Sequence, residues 1–359
     1  MEKEPEEIIA SDYDVIVVGA GPSGCEAALA AARAGAQTLC LSINLDMVGY
    51  PTATPVLVDD SDDRRHALLA ELDGFGAELP GLLHTDGISG RDGVAGRVLV
   101  DRRRLGLAWK EQLESEEGLA LRQALVTSLI PGKSGWKLET KLREHFTARA
   151  VVVAAGTFLN GRVIDAGETS PGGRWAEIPA NSLAKCLQMQ DIKLVDIWAR
   201  TSPRLSSRGI DEKLLGDPRL RRDGEQLGEV LAFTLETDGN RTGQLQALRQ
   251  NKGLTQAWIA RPSYSILHLG LAAEQAGKNL EVIGKPGLFF AGRAAGSCNY
   301  TEAAALGFIA GINAAHRAGH GAASQLLSFS NTLVGQLLNR VAHKDIRPVT
   351  VRIDDESGC

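Results

Sequence analysis

A chain of 359 residues, 43% hydrophobic with 40 glycines, has ample material for a buried core, and a formal net charge of −5 argues against an overall electrostatic grip on nucleic acid while leaving local patches open. No apolar run reaches about 18 residues without a charge or a glycine break, so no membrane-spanning helix is expected. Met1–Ala10 carries five charges and no apolar signal core, and the five cysteines form no C-x-x-C pair, so reduced thiols and a cytoplasmic location are expected.

The first element carries the most information. Asp14–Val18 is an apolar, β-branched run that leads into Gly19-Ala20-Gly21-Pro22-Ser23-Gly24, and an Ala-rich helical pattern follows. G-x-G-x-x-G between a strand and a helix has a physical meaning at each glycine. Gly19 permits the tight turn, Gly21 removes the side chain that would block a pyrophosphate, and Gly24 lets the helix pack closely on the sheet. The free N–H groups and positive end of that helix then face the phosphates. A dinucleotide is expected here. The second strand, Gln37–Leu41, ends in Ser42 where an Asp or Glu usually holds the ribose, which leaves Ser42 or Asn44 for a weaker ribose contact.

From Asp46 to Gly96, turn clusters interrupt the pattern. A charged helix is predicted over Asp101–Ser115, with Arg102-Arg103-Arg104 read as a solvated face. A β-meander follows, with Leu121–Leu129 as one strand, Pro131–Gly135 as a turn and Trp136–Leu142 as another strand. Gly132-Lys133-Ser134 lacks the preceding glycine and the following helix of a phosphate loop. Arg149–Thr157 reads as a buried parallel strand ending in small residues.

Between Gly161 and Gly253 hydrophobic periodicity weakens, as expected of a smaller inserted domain. Pro286–Gly292 is another buried strand, and a small-residue helix with Gly307 and Gly311 is predicted from Thr301 to Ala318. The fold class is therefore α/β and Rossmann-like, a doubly wound, mostly parallel sheet plus a β-meander with an inserted smaller second domain. The expected division is 1–160 and 256–320 for the main domain, 161–255 for the insertion and 321–359 for a C-terminal arm. Three strand ends, at Gly19–Gly24, Ala154–Thr157 and Gly292, converge on one carboxyl edge, where ligands of such sheets bind.

These residues resemble a known family. Tyr13–Ala32, with Gly24-Cys25-Glu26-Ala27-Ala28, looks like the start of the GidA (MnmG) flavoproteins, and so does Asn44-Leu45-Asp46. The likeness continues through Gly156-Thr157-Phe158-Leu159-Asn160-Gly161, Pro171-Gly172-Gly173-Arg174, Ser202-Pro203-Arg204 with Ile210-Asp211, and Arg261-Pro262-Ser263-Tyr264. Gly287–Gly292, Tyr300-Thr301-Glu302-Ala303-Ala304 and Gly307–Ala314 complete it, in family order from Asp12 to Ala318.

The resemblance implies FAD in a two-part domain. Gly19, Ala20, Gly21, Pro22, Ser23 and Gly24 would hold the pyrophosphate, and Val126 would meet the adenine through backbone atoms. Ala155, Gly156, Thr157, Gly292 and the helix start Thr301, Glu302, Ala303 and Ala304 would line the rest of the site. Arg174 would face the flavin, and the helix start would suit the negative charge of a reduced flavin. Members of the family modify the wobble uridine of tRNA using a folate-derived one-carbon unit, reduced pyridine nucleotide and a partner GTPase, and the folate-dependent tRNA methyltransferases share the core.

The chain departs from the family in two segments. The stretch Val48-Gly49-Tyr50-Pro51-Thr52-Ala53-Thr54-Pro55 holds no cysteine where the family carries a Ser-Cys-Asn-Pro-type loop, and Asp211–Ala260 lacks the second family cysteine. About 40 residues follow Ala318, where the family has a long helical region. Cys298, just before a helix N-terminus, is a candidate reacting thiol set against a role as a small pocket residue. Arg200, Arg204 and Arg208 could meet phosphates, but Pro203 breaks any helix that would align them, which favours a solvated or interface role. His316 and His320 lack a third ligand, so no metal is assigned.

The first functional expectation is an FAD-dependent oxidoreductase of unnamed substrate and acceptor, with NAD(P)H as a transient reductant. The alternative is a diverged tRNA uridine-modification enzyme or accessory factor, and a third is a non-catalytic flavin-binding partner protein. A small-molecule substrate, tRNA and a second copy of the chain are the partners left open.

Overall fold

The computed structural model describes residues 11–52, 56–59, 63–91, 97–165, 168–201, 203–206, 209–211, 220–227, 230–235, 246, 249–250, 252–321 and 332–343. Its first half comprises β1 (Ser11–Val18), α1 (Pro22–Arg33), β2 (Thr38–Ser42), β3 (Val56–Asp59), α2 (Asp63–Phe75), α3 (Glu78–His84), β4 (Ser89–Arg91), β5 (Arg97–Val100) and α4 (Arg102–Ser115). Next come β6 (Leu119–Gln123), β7 (Val126–Gly132), β8 (Gly135–Thr140), β9 (His145–Val153), β10 (Arg162–Asp165), β11 (Glu168–Pro171), α5 (Asn181–Gln188) and β12 (Leu194–Thr201). The rest are β13 (Arg204–Ser206), β14 (Leu220–Leu227), β15 (Val230–Leu235), β16 (Trp258–Arg261), β17 (Tyr264–Leu271), β18 (Leu288–Phe290), α6 (Tyr300–Arg317) and α7 (Leu333–Ala342).

The seven-stranded main sheet has the order β6-β2-β1-β9-β8-β7, with β18 also paired to β9. Its centre is parallel: β1 pairs with β2 and β9, β2 with β6, and β9 with β18. Val15, Ile16 and Val17 of β1, and all five residues of β2, are buried. Continuous apolar strands of this kind form where helices cover both faces, so the sequence shows no alternation there. This is the doubly wound sheet expected from the sequence.

The antiparallel margin differs from the expected strand Leu121–Leu129. That segment is two strands, β6 running parallel beside β2 and β7 opening a meander β7-β8-β9. The chain changes direction at Ala124, whose N–H donates to the Ser42 carbonyl at 2.8 Å. The tie is tertiary, and nothing in the local pattern marks it.

Helix α4 begins as expected, with Asp101 capping it by accepting from the Arg103 and Arg104 N–H groups at 3.0 Å. Arg102, however, is wholly buried and reaches the Thr52 carbonyl at 3.4 Å, which corrects its assignment to a solvated face. Consecutive helical residues point about 100° apart, so three in a row cannot share one face. Arg204 is likewise buried, in β13, and Arg208 lies outside the described residues.

Beyond β9 the chain builds a four-stranded sheet β11-β10-β17-β12 and a second one, β14-β15-β13-β16. The segment following residue 256 therefore first supplies β16 and β17 to these sheets, and the main sheet regains the chain only at β18. A three-stranded sheet β3-β5-β4 is the remaining sheet among the described residues.

Two helices pack at the heart of the molecule. A Cβ on Gly307 of α6 would lie 2.1 Å from the Ser23 carbonyl oxygen of α1, and one on Gly311 would lie 2.3 Å from that of Ala27. The glycines let the two backbones meet. Asn299 caps α6 by accepting from the Glu302 N–H at 2.9 Å. On α1, the buried Glu26 carboxylate caps another helix, accepting from the N–H groups of Glu78 (3.1 Å) and Leu79 (2.8 Å) at the start of α3.

Burial raises the Glu26 carboxyl to about 7, against the opposing pull of those backbone donors. Between the usual carboxyl value of 4.5 and about 7, the folded chain binds this proton more tightly than the unfolded chain. The stabilisation is thus full at low pH and is lost as pH rises through that window. Glu26→Gln is expected to flatten the fall in denaturant stability between about pH 5 and about pH 8 by roughly 2–3 kcal/mol, and parallel profiles would remove Glu26 as its cause. Gly307→Ala should cost about 3 kcal/mol in thermal unfolding because backbone would have to move. Gly74→Ala in α2, where a Cβ meets nothing within 4 Å, should be neutral or stabilising by about 0.5–1 kcal/mol. Equal effects at the two positions would contradict the α1–α6 contact.

Candidate functional site

β1 turns into α1 through Gly19, whose φ of +106° suits glycine. A Cβ there would come 2.4 Å from the Ala154 carbonyl oxygen, and one on Gly24 would come 1.7 Å from that of Gly19. Gly21 is different, because its Cβ would meet nothing within 4 Å and the residue lines a pocket. No side chain caps α1, and Pro22 stands at its start, so the free N–H groups of the first turn are directed at that space. After the neighbouring strand β9, Gly156, with φ +55°, also lines the pocket and leaves open space where a Cβ would be.

The pocket runs from the end of β2 to the N-terminus of α6. Ser42, Ile43, Ala124, Leu125 and Val126 line the first end. Thr157, Phe158, Arg174, Arg293, Ser297, Tyr300 and Ala303 line the other, where Ala199, Thr201 and Ile266 of the second sheet face it. Apolar groups dominate, and the charged residues among the described lining are two arginines.

Arg174 is held by Glu177, whose carboxylate accepts from Nη2 at 2.7 Å and Nε at 3.2 Å, and its guanidinium lies 5.2 Å from the Phe158 ring centre. The Thr157 hydroxyl donates to the Gly173 carbonyl at 2.6 Å and fixes the Pro171–Arg174 turn against the end of β9. Arg293 donates from Nη2 to the Cys298 carbonyl at 2.8 Å. Burial lowers it to about 10, partly offset by the Glu302 carboxylate, so it remains a cation at neutral pH. Glu302 accepts from the Cys298 N–H at 2.8 Å and pairs with Arg340 at 2.5 Å.

The segment Tyr50–Thr52 forms another wall. Trp109 Nε1 donates to the Tyr300 oxygen at 2.8 Å, and the Tyr300 hydroxyl donates to the Gly49 carbonyl. Gly49, at φ +58°, sits where a Cβ would be 2.1 Å from the Trp109 ring.

This arrangement is matched among known proteins. The family described as Glucose inhibited division protein A matches residues 14–219 and 218–321 of the chain. The chain belongs to that family.

Its sequence is 27% identical to the tRNA uridine 5-carboxymethylaminomethyl modification enzyme MnmG of Synechocystis sp., covering 93% of this chain and 66% of that protein. It is 30% identical to MnmG of Caldicellulosiruptor saccharolyticus, covering 94% and 67%. The chain thus spans about two thirds of the length of these relatives. A solved structure of Aquifex aeolicus GidA superposes with a TM-score of 0.82 at 25% identity, covering 93% of this chain and 68% of that one. NikD, an amino acid oxidase, shares the fold alone, with a TM-score of 0.53 at 14% identity. The fold is the Rossmann-like FAD-binding fold of the GidA family.

The sequence-predicted residues divide into pocket walls and their supports. Gly19–Ser23, Ser42, Val126, Ala155–Thr157, Arg174, Cys298 and Ala303 line the pocket. Gly24 and Gly292 serve backbone packing, for a Cβ on Gly292 would lie 2.3 Å from the Ser23 hydroxyl oxygen. Thr301 and Ala304 are buried behind the wall, and Glu302 braces it. Ser42 donates to the Asn44 carbonyl at 3.0 Å, while Asn44 caps a short turn by accepting from the Asp46 N–H and borders an adjoining groove. Cys298 lines the pocket at the entrance to α6, where its N–H donates to Glu302 at 2.8 Å. Sequence reasoning missed Arg293, although it is the one charge in the small-residue stretch Ala291–Ser297.

Because a side chain at position 21 would enter the pocket without touching protein, Gly21→Glu should keep its melting temperature within about 2 °C of wild type. It should also lose any bound dinucleotide, as read from cofactor content after purification. Retention of one equivalent would sink the assignment of α1 as the pyrophosphate site.

Proposed function

We propose that this chain binds FAD along the pocket and works as a flavin enzyme in tRNA uridine modification. The observation that carries the cofactor is the pair of glycines, Gly21 and Gly156, that follow adjacent strands and leave open space in one pocket at the uncapped N-terminus of α1. Gly21 and Ser23 would hold the pyrophosphate through backbone N–H donors, with Pro22, which has none, setting the start of the helix. Ser42 and Ala124–Val126 would take the adenosine, and Thr157, Arg174 and Ala303 would border the flavin ring. FAD bound there supplies two-electron redox chemistry. The chain's own part is to orient the ring and to exclude water with the apolar wall from Phe158 to Ile266. NAD(P)H fits as a transient reductant rather than a resident group. The tRNA setting is supported by the MnmG relatives, which are named for tRNA uridine modification.

A second reading has its own observation. Neither Val48–Pro55 nor Asp211–Ala260 contains a cysteine to activate a uracil or carry a one-carbon unit. This favours a flavin oxidoreductase acting on a small molecule. One experiment separates the two readings. The purified protein, supplied with FAD, is reduced anaerobically with NADPH or NADH while its visible spectrum is followed, and tRNA is then titrated at increasing salt. Flavin that bleaches, together with saturable tRNA binding that weakens with salt, is the expected result. Bleaching with no tRNA binding at low salt moves the assignment to a small substrate, and failure to bind FAD at all ends both readings.

A further inference from the structure

The two arginines of the pocket differ in a way the family likeness does not explain. Arg174 is neutralised, with Glu177 gripping it through two nitrogens. Arg293 is not. Among the described residues no carboxylate lies within ion-pair distance of it, and its one hydrogen bond runs from Nη2 to a neutral carbonyl, that of Cys298. The nearby Glu302 is taken up by Arg340 at 2.5 Å and by the Cys298 N–H. A guanidinium carries five N–H donors, so most of those on Arg293 remain unused. Arg293 lines the pocket, and among the described residues neither Nε nor Nη1 makes a hydrogen bond.

The surroundings reinforce that charge. Arg293 follows Gly292 at the carboxyl end of β18, and its guanidinium is tied to the loop that enters α6, where the helix N-terminus adds positive potential. Behind it, His268 is fully buried with Nε2 unpartnered, held neutral by burial and by the Arg293 charge. The Glu302 carboxylate acts on it through space but is itself paired with Arg340. A fixed cation in a mainly apolar wall stabilises whichever anion forms opposite it.

We propose that Arg293 is the cation facing the pyrimidine edge of the flavin and that it stabilises the negative charge placed there by reduction. This rests on the FAD reading above and goes further by naming the residue that sets the cofactor's electron affinity. The two-electron reduction adds one proton at the central ring and leaves one negative charge at the pyrimidine edge, which is the edge that Arg293 and the positive end of α6 would suit.

The test uses the FAD-loaded protein and needs no turnover. The reduction potential is measured by equilibration with a reference dye, and sulfite, which adds to an oxidised flavin when that edge is electropositive, is titrated against the visible band. Arg293→Gln should lower the potential and weaken sulfite affinity by about tenfold or more, while Arg293→Lys should keep most of both. Unchanged potential and sulfite affinity in Arg293→Gln would overturn the proposal, as would equal losses in the Gln and Lys variants. Absence of FAD from the wild-type protein would instead defeat the cofactor reading, so the two failures are distinguishable.

Discussion

The contact between α1 and α6 is the constraint on which the site depends. Gly307 and Gly311 let α6 lie directly on the backbone of Ser23 and Ala27, closer than any side chain would allow. The consequence is geometric. Two helices whose first turns both border the pocket are locked side by side, so the donors at the start of α1 and the positive end of α6 keep a fixed separation. Gly292, in the segment between β18 and α6, also packs against Ser23, at its hydroxyl, and places the strand end of β18 beside them. Glycine here is a packing residue, and the pocket inherits its dimensions from that packing.

A pocket built this way has an uneven electrostatic character. Near α1 the potential comes from backbone N–H groups, which suit phosphate oxygens and carry no net charge. Near α6 it comes from a side-chain cation, Arg293, and a helix end. Arg174 adds shape more than charge, because Glu177 cancels it and Phe158 supports its plane. The chain as a whole is acidic, at −5, so the positive character is local. Local potential in an apolar wall acts more strongly than the same charge in water.

How much of this was legible in the sequence depends on the range of each interaction. The turn at Gly19–Gly24 is local, with its meaning fixed within ten residues, and the structure places it as read. The parallel strands were legible because burial on both faces erases alternation, which is itself a signal. The break between β6 and β7 was not, since Ala124 turns on a bond to Ser42 far back in the chain. Arg102 was misread because a run of like charges hides the helical rotation that sends one member inward. Arg293 was visible as a lone charge in a small-residue stretch, but its meaning needed the position of α6 and the occupation of Glu302 by Arg340.

The loop at Gly49–Thr52 shows how the same logic extends to the wall where the family likeness fails. Tyr300 joins three distant pieces: it accepts from Trp109 of α4, donates to Gly49 of the loop and begins α6. It can do both only while its phenol is protonated, and burial pushes that phenol well above its ordinary value, so the link holds throughout the physiological range. Trp109 then packs so tightly on Gly49 that no other residue fits there. The loop is therefore fixed by α4 and α6 rather than by its own sequence. A loop held from outside can exchange the residues it presents to the pocket, here Tyr50, Pro51 and Thr52, without moving the backbone that carries them. That is the physical route by which one scaffold can keep a cofactor site and change what the site acts upon.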